Sequence, residues 1–149
     1  MQTGSQRTKG FEFGVNGRVT PVWIVAGGYA YQDAVVTSVT VSARAGAEVG
    51  QVPHHTFSLW NNYEIARRFA AAFGIIHRSS MFAAIDNTVT LPGYTRADVG
   101  AYFPFGKHWR LQANVENVFD TNYFVNADSN TNISPGSPRV VRVALRASF

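Results

Sequence analysis

The sequence RVVRVALRASF occupies positions 139–149 and ends the chain. From position 141 onward its odd positions are all apolar, whereas its even positions include two arginines. Because successive side chains of a strand point to opposite faces, we expect Val141, Val143, Leu145 and Phe149 to face lipid and Arg142 and Arg146 to face inward. A soluble sandwich strand could show the same alternation. Residues 139–149 are close in length to the roughly 9–11 residues of a tilted membrane-spanning strand, and they end in an aromatic residue. Both features favour an outer-membrane β-barrel.

Composition fits this interpretation. The chain has 149 residues, enough for one domain, with 13 Lys and Arg against 9 Asp and Glu. The net charge of +4 is modest and the basic residues do not form a run, so no nucleic-acid partner is expected. Charged residues make up only 15% of the chain and aromatic residues 13%. That balance is typical of a protein with an apolar exterior or a large core.

The polar residues at the N-terminus, the absence of cysteine and the absence of a long apolar run narrow the class of protein further. There is no cysteine, which excludes disulfides and thiolate metal sites. There is no apolar run long enough for a membrane helix, and the polar residues 1–6 do not begin a signal peptide. Because a barrel protein must be exported, the sequence is expected to be part of a longer chain or to have a wrongly placed start.

Period-two alternation recurs along the chain and predicts an all-β protein with about seven antiparallel strands. The six further segments are residues 11–15, 19–32, 56–62, 69–78, 96–103 and 111–116. Asn16-Gly17 predicts a tight hairpin after the first of them, because both residues tolerate a positive φ. Residues 64–72 contain good helix formers, so a short helix is the alternative there. The alternation that continues to His77 favours a strand.

Connection lengths alternate between short and long. Short connections are predicted near residues 16–17, 63–66 and 105–108, and long ones at 33–52, 79–93 and 120–138. Transmembrane barrels have short periplasmic turns and longer extracellular loops. Aromatic residues concentrate near both predicted ends of the strands, as in the two interfacial girdles of such barrels. The polar positions of the predicted strands include Arg96, Asp98 and Glu116. We expect these residues to face the lumen, together with Arg142 and Arg146.

Residues 111–123, LQANVENVFDTNY, resemble a pattern near the end of TonB-dependent outer-membrane siderophore receptors. In that family an alternating strand runs into Asn-(Leu/Val)-Phe-Asp and a nearby Tyr, followed by Gly-x-Pro-Arg and a last strand that ends in Phe. The corresponding residues are Asn117-Val118-Phe119-Asp120, Tyr123, Gly136-Ser137-Pro138-Arg139 and Phe149. Upstream, residues 10–13, 28–34, 52–55 and 59–63 resemble the preceding strands, so the resemblance covers positions 10–149.

The resemblance implies a barrel of about 22 strands, of which residues 1–149 supply the C-terminal portion. It implies a ferric siderophore, often an anionic chelate, as the ligand, and the outer membrane of a Gram-negative bacterium as the location. Outer-membrane lipid and the barrel assembly machinery are further implied partners. The family's plug domain and TonB box are absent from this sequence, so the plug and TonB would act through a missing N-terminal part.

No enzyme activity and no cofactor are expected. The sequence lacks a Gly-x-Ser-x-Gly nucleophile elbow. His54 and His55 are adjacent and would point to opposite faces of a strand, which argues against a shared metal ion. The oxygen-rich residues 126–132 lack the terminal Glu and the glycine of a calcium loop, so a solvated loop is favoured over a calcium site. Arg44 is a weak candidate for attracting an anionic ligand, and the alternative is an ordinary solvated charge.

Two functions therefore stay open. The first is a portion of a siderophore-receptor barrel. The second is a complete small outer-membrane barrel, or a soluble β-barrel binding protein, without a plug.

Overall fold

The computed structural model describes residues 4–148, and it consists of strands and loops. Within those residues no helix is long and apolar enough to cross a membrane. Seven long strands form the main sheet: β1 (Gln6–Thr20), β2 (Trp23–Val36), β3 (His55–Ala66), β4 (Phe69–Arg78), β7 (Tyr94–Phe105), β8 (Trp109–Glu116) and β11 (Val140–Ala147). Four short strands lie between them: β5 (Met81–Phe82), β6 (Thr90–Leu91), β9 (Phe124–Ser129) and β10 (Asn132–Pro135).

The seven long strands follow one another in the sheet in chain order, and every neighbouring pair is antiparallel. The prediction of an all-β protein with seven antiparallel strands is therefore confirmed. In the part of the chain that the structure describes, β1 and β11 lie at opposite edges of the sheet and do not pair with each other. The strands thus form an open wall rather than a small closed barrel.

Tight turns connect the long strands at one end of the sheet. They lie at residues 21–22, 67–68 and 106–108. The hairpin predicted at Asn16-Gly17 is wrong, because both residues lie inside β1 and align with Ala26 and Val25 of β2. The turn falls instead at Pro21, whose fixed φ suits a tight turn and whose missing N–H ends the ladder. The alternation of apolar side chains thus continues past the residues that merely permit a turn.

The helical alternative for residues 64–72 is also wrong. This segment contains the end of β3, the turn at residues 67–68 and the start of β4. β4 pairs along its length with both β3 and β7, so its backbone groups are hydrogen-bonded on both sides, whereas an isolated helix of this length is only marginally stable. Tertiary pairing therefore overrides the local helix propensity.

Long loops connect the strands at the other end. They comprise residues 37–54, 79–93 and 117–139, close to the predicted spans. The small sheets β5–β6 and β9–β10 lie within the second and third loops. The two hydrophobic clusters of the described residues also lie at this end, around Val36, Ala43 and Ala47 and around Met81, Leu91 and Ala127. The core therefore lies under the loops, while both faces of the wall lack a second layer.

Candidate functional site: the two faces of the wall and its loop layer

One face of the wall is apolar from strand to strand. Val141 of β11 aligns with Val115 of β8, Val115 with Val99 of β7, and Val99 with Phe73 of β4. Most of the exposed large hydrophobic residues lie on this face: Phe11, Phe13, Val15, Tyr63, Phe73, Val99, Phe103, Phe105, Trp109, Leu111, Val141, Val143 and Leu145. Val143 is 68% exposed and Leu145 57%. A continuous exposed apolar surface of this extent marks contact with lipid or another macromolecule.

Aromatic side chains border the apolar face at both ends. Near the loops, Phe11 contacts Tyr29 and Tyr31 with ring centroids 5.8 Å apart in each pair. Near the tight turns, Phe69 lies 4.7 Å from Phe103 and Phe105 stacks on Trp109 at 6.4 Å. Tyr31 and Trp23 are eight residues apart on β2, which corresponds to about 26 Å of strand. Reduced by the usual strand tilt, this separation is about 20 Å, somewhat less than the apolar band of about 25 Å in a membrane barrel.

The opposite face carries the five residues predicted to line the lumen. The register places Arg96, Asp98, Glu116, Arg142 and Arg146 on this single face. Two pairs come together: Arg96 Nη2 lies 2.8 Å from Asp98 Oδ2, and Arg142 forms an ion pair with Glu116. Arg146 lies apart from them, aligned with Arg110 near the tight turns. The four central charges thus lie on three neighbouring strands, β7, β8 and β11, of one polar surface.

Asp98 also holds the start of the third loop. Its side chain is largely buried, and Oδ1 accepts a hydrogen bond from the backbone N–H of Asn117 at 2.8 Å. Asn117 is 1% exposed and has a φ of 53°, a left-handed conformation that Asn tolerates better than most residues. Its side-chain amide donates to the carbonyl oxygens of Thr121 and Ser137, and its Oδ1 accepts from the Thr121 N–H. Asn117 therefore fastens both ends of the loop to the wall.

Asp120 of the Asn-Val-Phe-Asp pattern and the Tyr that follows it also help to anchor the third loop. Asp120 accepts a hydrogen bond from the Arg139 N–H at 2.7 Å, and the Tyr123 hydroxyl accepts one from Arg96 at 3.0 Å. Gly136 lies against the Tyr123 ring, where a Cβ would come within 2.2 Å of the ring carbons. These residues were noted in the sequence only as a pattern. Their roles as anchors depend on contacts between residues far apart in the chain.

Two aromatic residues near the loop end of the strands, Tyr94 and Tyr123, do not lie at the border of the apolar face. Tyr94 aligns with Arg78 on the polar face, and its ring lies 4.4 Å from that of Tyr123. Tyr123 is buried beneath the third loop. Arg78, which sequence reasoning did not single out, donates to the Val125 carbonyl oxygen at 3.2 Å. The polar face near the loops is therefore an anchoring surface for the third loop.

The three long loops are joined to one another. Asn87 of the second loop accepts a hydrogen bond from the Glu48 N–H and donates one to the Glu48 carbonyl oxygen, at 2.8 and 2.9 Å. The Gln51 N–H donates to the Phe82 carbonyl oxygen, and Gln51 Oε1 accepts from the Ala127 N–H of the third loop. Asn130 donates to Asp86 and Thr88. The loops thus form one packed layer.

The other residues singled out in the sequence as possible functional sites are located as follows. Arg44 is exposed on the first loop and lines a shallow depression together with Asp86. His54 pairs with Glu48 at 3.3 Å, whereas His55 contacts the Tyr29 hydroxyl at 2.8 Å. Within residues 4–148, no group of three or more His, Asp or Glu side chains is arranged to hold a metal ion. Phe149 lies outside the described residues.

Comparison with known proteins assigns this arrangement to a family. The family model described as "TonB dependent receptor-like, beta-barrel" matches residues 1–118. The catecholate siderophore receptor Fiu of Escherichia coli K12 is 30% identical over 154 residues, which cover 99% of this chain and 20% of Fiu. The probable TonB-dependent siderophore receptor PiuA of Acinetobacter baumannii is 29% identical over 134 residues, 83% of this chain and 18% of PiuA.

Solved structures give the same result. The crystal structure of PiuA superposes with a TM-score of 0.91 at 26% identity, over 95% of this chain and 22% of that chain. The closed form of Fiu superposes with a TM-score of 0.89 at 29% identity, over 99% of this chain and 22% of that chain. The chain spans about a fifth of the length of these relatives. With a matching family model, an open antiparallel wall and one apolar face, the chain belongs to the β-barrel family of TonB-dependent receptors.

Proposed function

We propose that this chain supplies seven adjacent wall strands and three extracellular loops of an outer-membrane receptor that imports a ferric siderophore with energy delivered through TonB. The observation that carries the proposal is the strand register. It gathers the apolar residues of seven strands on one face and the charges of Arg96, Asp98, Glu116 and Arg142 on the other. A wall of that kind separates lipid from a polar lumen.

The apolar face is proposed to contact the hydrocarbon of the outer membrane of a Gram-negative bacterium. Val141, Val143 and Leu145 are exposed on it. Between the two aromatic borders this face carries no charged residue within the described part of the chain. A lipid-facing charge near the midplane costs about 2–4 kcal/mol, so such a surface suits hydrocarbon.

The chain is proposed to be the C-terminal portion of the barrel, and the other strands of the receptor would pair with the free edges of β1 and β11. Unpaired edges are costly in lipid, because the bilayer core offers no hydrogen-bond partners. The polar face would then line the lumen and meet a plug supplied by another part of the receptor. That plug, not this wall, would gate transport and engage TonB, and the barrel assembly machinery would insert the whole.

A ferric siderophore is the proposed ligand because of the relatives. Fiu is named a catecholate siderophore receptor and PiuA a siderophore receptor. The loop layer is the surface that an approaching chelate would meet, and Arg44 stands exposed on it as a candidate to attract an anion. No bond is made or broken in this role, so no enzyme activity is proposed for the chain.

Uptake of radioactive iron tests the proposal. A strain that lacks the receptor gene would be complemented with the intact gene, in TonB-competent and TonB-deficient backgrounds. Catecholate, hydroxamate and citrate chelates would be supplied separately. We expect uptake of at least one chelate that requires both the receptor and TonB. Uptake that is equal without TonB, or no uptake of any chelate although the protein reaches the outer membrane, would contradict the proposal.

A further inference from the structure

The positive charge of the chain is concentrated at the end of the wall that carries the tight turns. Of the 13 basic and 9 acidic residues of the chain, six basic and one acidic lie at this end: Arg18, Arg67, Arg68, Lys107, Arg110, Arg146 and Glu64. The other seven basic residues are outnumbered by eight acidic ones. The net charge of +4 therefore comes from the tight-turn end of the wall.

Two adjoining depressions at this end hold part of the charge. Arg67, Arg110 and Glu64 line the first depression, which has a volume of about 300 Å³. Arg110 also lines the second, of about 410 Å³, so its side chain lies between the two. Volumes of this size are typical of sites for small molecules.

The strands that position the two arginines have both of their neighbours within this chain. Arg67 lies in the turn between β3 and β4, and Arg110 lies on β8 between β7 and β11. No further strand of a barrel can therefore pair with these strands and supply a carboxylate. A counter-charge has to approach from the polar face or from the end of the wall.

Neither arginine is neutralised by the residues that the structure describes. Both are exposed, and no carboxylate oxygen of residues 4–148 lies within 4 Å of their guanidinium nitrogens, although Glu64 lines the same depression. Arg110 is also aligned with Arg146 of β11, and like charges directly opposite on neighbouring strands repel each other. An anion bound beside Arg110 would offset that repulsion.

The lining of the first depression suits an anion that carries flat rings. Tyr102 and Pro104 line it beside the two guanidinium groups. A guanidinium group binds anionic oxygens through paired N–H donors and also stacks on aromatic faces. A ferric chelate whose anionic oxygens are attached to aromatic rings matches both properties.

We propose that Arg67 and Arg110 form an exit site for an anionic ferric chelate at the periplasmic mouth of the lumen. The inference rests on the proposed function, since it requires the loops to be extracellular and the polar face to line the lumen. The two arginines attract the anion to the mouth as it leaves the barrel. Glu64 weakens the site, because its carboxylate repels the same anion.

Fluorine NMR of the intact, detergent-purified receptor tests the site, because both ends of the barrel are then open to added chelates. A fluorinated tyrosine takes the place of Tyr102, and a paramagnetic ferric ion bound in the same depression broadens its signal. The probes are an anionic ferric tris-catecholate and an uncharged ferric tris-hydroxamate. The variants are Arg67→Gln alone and together with Arg110→Gln. The matched control is Arg68→Gln, which removes the same charge from the same turn but lines neither depression.

We expect the concentration of tris-catecholate that gives half-maximal broadening to rise about 10-fold in the double variant, because a cleft lined by one sign of charge concentrates its counter-ion about 10- to 1,000-fold. Arg67→Gln alone should raise it less, Arg68→Gln should leave it unchanged and Glu64→Gln should lower it. Equal broadening by the uncharged tris-hydroxamate, or equal effects of Arg67→Gln and Arg68→Gln, overturns the exit site alone.

Two measurements on intact cells separate the exit site from its alternatives. Cells with the double variant should resist a large glycopeptide antibiotic as well as cells with the unmodified receptor do. Sensitivity would mean that the two arginines hold an acidic segment that closes the barrel, and would overturn the exit site. An unmodified receptor without TonB-dependent iron uptake overturns the proposed function, whereas the fluorine measurement does not depend on TonB.

Discussion

Asp98 and Asn117 are 19 residues apart in the chain, yet the Asn117 N–H lies 2.8 Å from Asp98 Oδ1 at the end of the polar face. This hydrogen bond links the strand β7 to the first residue after β8. Because Asn117 also holds Thr121 and Ser137, one buried side chain fixes where the third loop leaves the wall and where it returns.

Two substitutions of Asn117 separate its hydrogen bonds from its backbone conformation. Asn117→Gly keeps the positive φ but loses the side-chain hydrogen bonds, and should lower the free energy of unfolding by about 1–3 kcal/mol. Asn117→Ala adds the strain of a left-handed residue with a Cβ, about 1–2 kcal/mol more. Urea unfolding of the detergent-solubilised receptor measures both. Equal losses would show that the φ of 53° contributes nothing.

The assignment of the two faces predicts opposite effects at adjacent positions of β11. Leu145→Arg places a charge on the apolar face and should cost about 2–4 kcal/mol if that face meets the bilayer midplane. Arg146→Leu changes the polar face and should be tolerated. The fraction of the full receptor with heat-modifiable mobility on gels reports assembly. Matching defects in the two variants would refute the assignment.

The sidedness of the wall predicts which residues can be labelled on intact cells. A cysteine at Thr131, the exposed tip of the β9–β10 hairpin, should react with a membrane-impermeant maleimide, because the loops are proposed to be extracellular. A cysteine at Lys107, in the tight turn at the other end, should react only after the outer membrane is permeabilised. Asn130 is a poorer probe than Thr131 because its amide is engaged with Asp86. The reverse labelling would invert the topology.

The joined loops predict that disturbing one loop loosens another. Asn87→Ala removes the paired hydrogen bonds to Glu48 and should speed amide hydrogen exchange in both residues 37–54 and 79–93. Asn126→Ala is the control, since Asn126 is exposed in the same layer and makes no side-chain hydrogen bond among residues 4–148. Faster exchange confined to the second loop would show that the loops open independently.

A pH effect is predicted at the contact between the second and third loops. Desolvation acts to raise the pKa of Asp86, but hydrogen bonds from Thr88 and Asn130 outweigh it, so the pKa lies below its ordinary value of 3.8. A lowered pKa stabilises the contact above pH 3.8 and withdraws that stabilisation as pH falls through the lowered value. The carboxyl ¹³C shift of Asp86 should therefore titrate below pH 3.8, and Asn130→Ala should raise the midpoint. An unchanged midpoint would remove Asn130 as a cause.

The wall could be predicted from the sequence because period two is a local property. Val141, Val143 and Leu145 show the apolar face without any knowledge of their neighbours. The position of the first turn could not be predicted equally well. Asn16-Gly17 permits a turn, but the turn forms at Pro21, at the end of a longer ladder. The contacts that anchor the third loop could not be predicted, for a different reason. Gly136 needs to be Gly because of Tyr123, thirteen residues earlier, and no local pattern reveals that contact.

The first loop also bears on how such a protein can diversify. Val41 is fully exposed at its tip, whereas Ala43, two residues later, is 7% exposed and belongs to a cluster against which Ile85 of the second loop packs. A mutation at Val41 should change the outer surface and alter the free energy of unfolding by no more than about 0.5 kcal/mol. A larger residue at Ala43 displaces its neighbours and needs a compensating change in another loop. Exposed residues at the loop tips can therefore change one at a time, whereas substitutions of buried loop residues need a matching substitution in another loop.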